Sequence, residues 1–185
     1  MRKVYLTIIF YILCTNLFAQ MQKEAEVDSI LWNPTEKLRW VDFKEPPNPQ
    51  ALFEKAACAS SIYVKGGKRS VGFPDFIVGC YFLKKQSWTL DTVSESLLRH
   101  EQGHFDIAEL YARKIRQTID SLHKKSTEDF NIYANNIQVL LEKYSKDEIA
   151  YDRETSHGTD MVEQKRWIQK ISFELKRLHN FAKSI

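Results

Sequence analysis

The stretch Leu98-Arg99-His100-Glu101-Gln102-Gly103-His104-Phe105 sets two histidines four residues apart, with a glutamate beside the first. On an α-helix, residues at that spacing lie about 40° apart in projection and one turn along the axis. Both imidazoles can therefore reach one metal ion. Glu101 sits beside them, placed to hold a water rather than the metal. This H-E-x-x-H arrangement is that of a zinc-dependent hydrolase.

The surrounding residues predict the helix that the motif needs. Thr92-Val93-Ser94-Glu95 has the form of a capping box, which starts a helix near Val93. Leu97, Ala108, Tyr111, Ile115, Ile119 and Leu122 then recur at three- and four-residue steps and carry it to about Lys124. A turn of about 100° per residue puts His100, Glu101 and His104 on that same apolar stripe. Three polar groups thus stand where a plain core helix carries Leu or Ile. Burying them without partners costs several kcal/mol, and a metal with its water satisfies them. A histidine pair hydrogen-bonded inside a core is the alternative.

The chain has 185 residues, enough for one domain with a sizeable core. Residues 1–19 read as a signal peptide: Arg2 and Lys3, an apolar run from Val4 to Leu13, then Leu17-Phe18-Ala19 before Gln20. That run is short for a membrane span. Lipid anchoring through Cys14 is not expected, because Leu13 stands where a small residue is required. A secreted or periplasmic protein with no stable membrane insertion after cleavage is the expectation. Removing Arg2 and Lys3 takes the formal charge from +3 to +1. Such a balance offers nothing to nucleic acid or an anionic membrane. Cys58 and Cys80 remain, free to pair or to stay as buried thiols.

Residues 20–36 are polar and read as a leader or loop. Four short strands are predicted next: Lys37 to Phe43, with Leu38 and Trp40 on one face, Cys58 to Lys65, Asp75 to Leu83, and Ser87 to Thr89. The second half is helical. A second helix follows Phe130, Tyr133, Ile137, Leu140 and Tyr144, and a third follows Met161, Ile168, Ile171, Leu175 and Leu178. Tyr151 to Asp160, between them, lacks an apolar period and reads as a loop. Strands first and helices second give an α+β layout, a small and mostly antiparallel sheet packed on the motif helix and two further helices.

Catalytic zinc takes three protein ligands, so a third must be found. Asp106 lies about 200° around the helix from His104, and Glu109 about 140°, so both point away. His123 lies roughly 28 Å further along the same helix at 1.5 Å per residue. His179 reads as an ordinary surface or boundary histidine. His157 remains, beside the permissive Gly158, with Glu128, Asp129, Asp152 and Glu154 as carboxylate alternatives.

Three separated stretches are similar to the bacterial DUF922 family, secreted proteins read as zinc-dependent proteases. They are Leu38-Arg39-Trp40-Val41-Asp42-Phe43, His100-Glu101-Gln102-Gly103-His104-Phe105-Asp106-Ile107, and Tyr151-Asp152-Arg153-Glu154-Thr155-Ser156-His157-Gly158. The resemblance implies a zincin-like metallopeptidase domain over residues 37–185. It favours His157 as the third ligand and draws attention to Tyr151 and Asp152.

The expectation is thus a metallohydrolase, a peptidase acting on a peptide or protein. His100, His104 and His157 hold Zn²⁺ and Glu101 is the general base. Tyr151 either donates to the oxyanion or packs in the core. Asp152 either orients a ligand histidine or is a solvated loop acid. Asp75 to Leu83 is either an edge strand for an extended peptide or an internal strand. Two other classes fit the same residues: a non-catalytic zinc-binding or interaction module, and a hydrolase of non-peptide amides in the cell envelope.

Overall fold

Glu95–Lys124 forms one helix of 30 residues, α1, and the main sheet and both later helices pack against it. The structure, a computed structural model, describes residues 28–47, 55–67 and 72–182. The signal-peptide reading of residues 1–19 and the Cys14 question lie outside the described residues. Among the described residues no helix is long and apolar enough to cross a membrane.

Five strands precede α1: β1 (Ser29–Leu31), β2 (Ala56–Ala57), β3 (Ser60–Gly67), β4 (Asp75–Leu83) and β5 (Trp88–Thr89). β4 is the middle of a three-stranded antiparallel sheet ordered β1-β4-β3, with Ile30 opposite Phe82 and Ile62 opposite Cys80. Phe76, Val78, Cys80 and Phe82 alternate inward along it and are buried. β2 and β5 pair as a separate two-stranded ribbon. Two helices follow, α2 (Phe130–Thr155) and α3 (Met161–Arg177). The layout is α+β, with a small antiparallel sheet and three helices.

α1 is buried on two sides. Phe105, Ala108, Ala112, Ile115 and Ile119 pack against the sheet and the first half of α2. Ile107, Leu110 and Tyr111 pack on the other side, with Tyr151, Trp167 and Ile171. The two alanines are wholly buried, because larger side chains would hold the layers apart. Glu109, Arg113 and Arg116 form a charged cluster inside this packing, each at most 4% exposed. Glu109 meets Arg113 at 2.8 Å and Arg116 at 3.1 Å. Arg116 also donates to the carbonyls of Val78 and Phe181, and Arg113 to that of Leu175. One ionic knot thereby ties β4 and the end of the chain to α1.

Four local expectations are corrected. Lys37 to Phe43 is not a strand: Trp40–Asp42 is a 3₁₀ turn, because the buried Asp42 carboxylate accepts the Arg39 N–H at 3.0 Å. Part of the expected leader is structural, since Ser29–Leu31 pairs with β4 and Trp32 Nε1 donates to Asp106 at 2.7 Å. The cap of α1 is Ser94, whose hydroxyl accepts the Leu97 N–H, while Asp91 accepts those of Val93 and Ser94. Thr92 is not the cap. Finally, α2 runs on through Tyr151 and Asp152 to Thr155.

The buried cluster yields a stability test. Glu109→Gln leaves two buried guanidiniums short of their counter-charge. The expected cost is about 3–5 kcal/mol, read by chemical denaturation; a loss below about 1 kcal/mol would reject the bracing role.

Candidate metal centre

α1 and α2 pass side by side near the start of one and the end of the other, and the polar residues of both meet there. α1 contributes His100, Glu101 and His104, all buried. α2 contributes Glu148, Asp152 and Thr155, which lie on one face because they are three and four residues apart. His100 Nε2 and His104 Nε2 are 3.2 Å apart. Asp152 Oδ1 is 3.1 Å from the first and 3.0 Å from the second. These three residues form a group that could hold a metal ion.

The ring nitrogens behind this triangle are already engaged. His100 Nδ1 lies 3.1 Å from Gln164 Oε1, and His104 Nδ1 lies 3.0 Å from Glu148 Oε2. Both partners are acceptors, so each Nδ1 carries the proton and each Nε2 is left with a lone pair. The Gln164 amide is fixed in this sense because its Nε2 donates to the Tyr151 hydroxyl at 2.8 Å. Three acceptor atoms therefore face one another and need a positive charge between them. Four ligands at about 2.0–2.1 Å around tetrahedral zinc stand roughly 3.3 Å apart, close to the observed separations. The donor set fits a divalent ion.

A proton answers the same need. Burial opposes charge on His104, but its hydrogen bonds to the Asp152 and Glu148 carboxylates outweigh it and lift its pKa to about 10. Burial acts against the Asp152 carboxylate too, yet the two imidazoles hold it well below the usual range. Glu148 Oε1 is buried and has no hydrogen-bond partner among the described residues.

Glu101 takes no part in the triangle. Its carboxylate accepts the Cys58 N–H and is 2% exposed. Burial raises its pKa against the lowering influence of His104 and His100. A base beside a Lewis acid benefits from that direction of shift.

Tyr151 lies behind the site. Its ring stacks on that of His100 at 4.7 Å, and its hydroxyl donates to the His100 carbonyl at 3.2 Å. The hydroxyl is thus taken up by Gln164 and by α1, and the packing alternative is the one this geometry favours. Gly103 makes the fit possible, since a Cβ there would fall on the Tyr151 hydroxyl.

His157 stands at the pocket wall. Its Nδ1 is 3.6 Å from Asp152 Oδ1, its side chain is half exposed, and it is outside the group of three. Asp152, expected in a loop, is instead on α2 between the two ring nitrogens. Glu154 faces away, bound to Arg166 and Trp167, and Asp129 caps α2. Asp106 and Glu109 point elsewhere, and His123 pairs with the Pro74 carbonyl. Glu148 and Gln164 were not anticipated. Glu148 extends the period of Ile137, Leu140 and Tyr144 by one further step of four, which is the signal that could have found it.

The site opens into a cavity of about 520 Å³, lined among others by Lys55, Ala56, Cys58, Leu97, Met161 and His157. A larger groove of about 800 Å³ lies by Trp32, Leu38, Gln102 and Ile171. Its Asp106 and Gln102 are paired with Trp32 and with the Leu38 backbone, so it gathers no comparable cluster. Cys58 and Cys80 are free thiols. Asp75 to Leu83 is internal, between β1 and β3, and the strand beside the cavity is β2.

Residues 83–158, which carry the cluster, match a family model described as a bacterial protein of unknown function, DUF922. Over that stretch the chain is similar to DUF922. No curated protein and no solved structure matches the chain. All three ligand candidates, Glu101 and Glu148 fall within the DUF922 segment, whereas Gln164 lies beyond it.

Gly103→Ala tests the packing behind the rings. It should push Tyr151 off His100 and destabilise the fold by about 1–3 kcal/mol, with weaker metal uptake measured by chelator competition. Unchanged stability and uptake would show that Tyr151 is no support for His100.

Proposed function

We propose that this pocket is the active site of a secreted metal-dependent hydrolase, a peptidase that works with Zn²⁺ held by His100, His104 and Asp152. One observation carries the reading: two Nε2 lone pairs and a carboxylate oxygen converge within 3.0–3.2 Å while both Nδ1 atoms are fixed from behind. Zinc on such ligands supplies Lewis acidity and lowers the pKa of a water towards neutrality. The group contains three ligands, the number typical of catalytic rather than closed structural sites.

Glu101 is the residue that moves protons in this reading. It is one residue from a ligand, faces the cavity, and is held by the Cys58 N–H rather than by a histidine. As water adds to the amide carbon, Glu101 takes its proton. As the C–N bond breaks, Glu101 returns that proton to the leaving nitrogen. β2 supports a peptide rather than another amide, because Lys55, Ala56, Ala57 and Cys58 form one wall of the cavity. Its partner β5 occupies one edge of that strand. An extended substrate can align with a strand wall of this kind.

Two variants test the assignment with the purified protein loaded with zinc. Glu101→Gln should keep about one zinc per chain and lose cleavage of labelled casein by ~10²–10⁴-fold. Full activity in that variant would remove Glu101 from the mechanism. Asp152→Ala should lose most bound zinc by elemental analysis, and undiminished zinc would exclude Asp152 as a ligand.

A further inference from the structure

The backbone after α2 is held in a conformation that a helix end does not require. Ser156, His157 and Gly158 follow one another at φ 48°, 51° and 79°. One left-handed residue suffices to end a helix. Non-glycine residues in that region are strained and persist only where their surroundings fix them. Here the His157 N–H donates to the Asp152 carbonyl at 2.8 Å, and the Asp160 N–H to that of Thr155 at 2.9 Å. The Gly158 N–H donates to Thr155 Oγ1 at 3.3 Å. A Cβ on Gly158 would stand 2.7 Å from His100 Cβ, so the turn is pressed against the base of a ligand.

This construction returns His157 to the cavity wall. At 3.6 Å its Nδ1 is beyond hydrogen-bond reach of Asp152 Oδ1. No hydrogen bond to Asp152 holds a proton on Nδ1, so the ring can carry it on Nε2, the nitrogen further from Asp152. The site groups beside it are turned to one another or away from the cavity. His100, His104 and Asp152 face one another, Glu148 holds His104, and the Tyr151 hydroxyl is behind α1.

Resting on the hydrolase reading above, we infer that His157 is a catalytic residue rather than a metal ligand, donating a hydrogen bond from Nε2–H to the substrate carbonyl oxygen as negative charge builds there. No proton is transferred in this step. A strained, fixed turn suits the role, because a donor aimed in advance at developing charge needs no reorganisation during the reaction. Tyr151, the other candidate for this role, has its hydroxyl turned away from the cavity.

The test compares zinc-loaded wild type, His157→Ala and His157→Asn. Asparagine tolerates the left-handed region, so a loss shared by both variants is not a backbone effect. Both should hold as much zinc as wild type by elemental analysis and chelator competition. On labelled casein kcat should fall about 100-fold, with KM within about twofold. Affinity for a phosphinic peptide analogue, whose tetrahedral oxyanion mimics the charged state, should fall in proportion. Zinc lost from both variants would make His157 a ligand and overturn the inference. Unaltered kcat and phosphinate affinity beside an active wild type would overturn it alone. A wild type that holds zinc yet neither cleaves casein nor binds the phosphinate would overturn the hydrolase reading and this inference with it.

Discussion

Each ring of the His100–His104 pair gives its Nδ1–H to an acceptor on another helix, and the rest of the site follows from that. His104 reaches across to Glu148 on α2, and His100 reaches to Gln164 on α3. The motif helix is thereby bound to both later helices through its candidate ligands. Neither ring can rotate without losing a buried hydrogen bond, which costs about 1–3 kcal/mol for the group left unpaired. Both Nε2 atoms are thus aimed before any ion arrives. A site aimed in this way binds with less loss of side-chain entropy than one assembled around the ion.

The packing behind the rings serves the same end. Tyr151 lies flat on His100 and edge-on to His104, and Trp167 packs edge-on to Tyr151. Gln164 joins the layers: its Oε1 takes the His100 proton and its Nε2 feeds the Tyr151 hydroxyl, which in turn donates to the His100 carbonyl. Every polar atom in this relay is matched, which a dry interior demands. The Glu109–Arg113–Arg116 cluster does analogous work one to three turns further along α1, where it fixes β4 and the chain end. α1 is therefore held at its first half by the site and at its second by an ionic knot.

Much of this was legible in the sequence because α1 carries a clear helical period. Polar residues on the stripe of Leu97, Ala108 and Ile115 had to be explained, and the pattern of His100, Glu101 and His104 explained them. The same logic was available on α2 and was missed. Ile137, Leu140 and Tyr144 continue as Glu148, Tyr151, Asp152 and Thr155 at the same steps, but their polarity gave the segment the look of a loop. An apolar period ends wherever a helix turns its buried face into a site, so the signal fails at the place of interest. Trp40–Asp42 illustrates a second limit. Its alternation mimics a strand, while one side-chain contact, Asp42 to the Arg39 N–H, decides the turn. β1 shows a third, since three residues are too few to carry a pattern of their own and are ordered by β4.

The donor set by itself does not choose the metal. Two imidazoles and a carboxylate suit zinc, and they also suit ferrous iron with open positions for oxygen. In the proposed reading, Glu101 is what distinguishes the two. An oxygen-activating iron has no use for a strong base one residue from a ligand, and hydrolysis does. The carboxylate is buried, its pKa is raised by that burial, and the backbone of Cys58 rather than an arginine or lysine holds it. An ion pair would have fixed Glu101 in its charged form and weakened it as a base. A single backbone N–H orients the group and leaves its basicity largely intact. The environment of Glu101, more than the identity of the candidate ligands, is therefore what supports the proposed hydrolase.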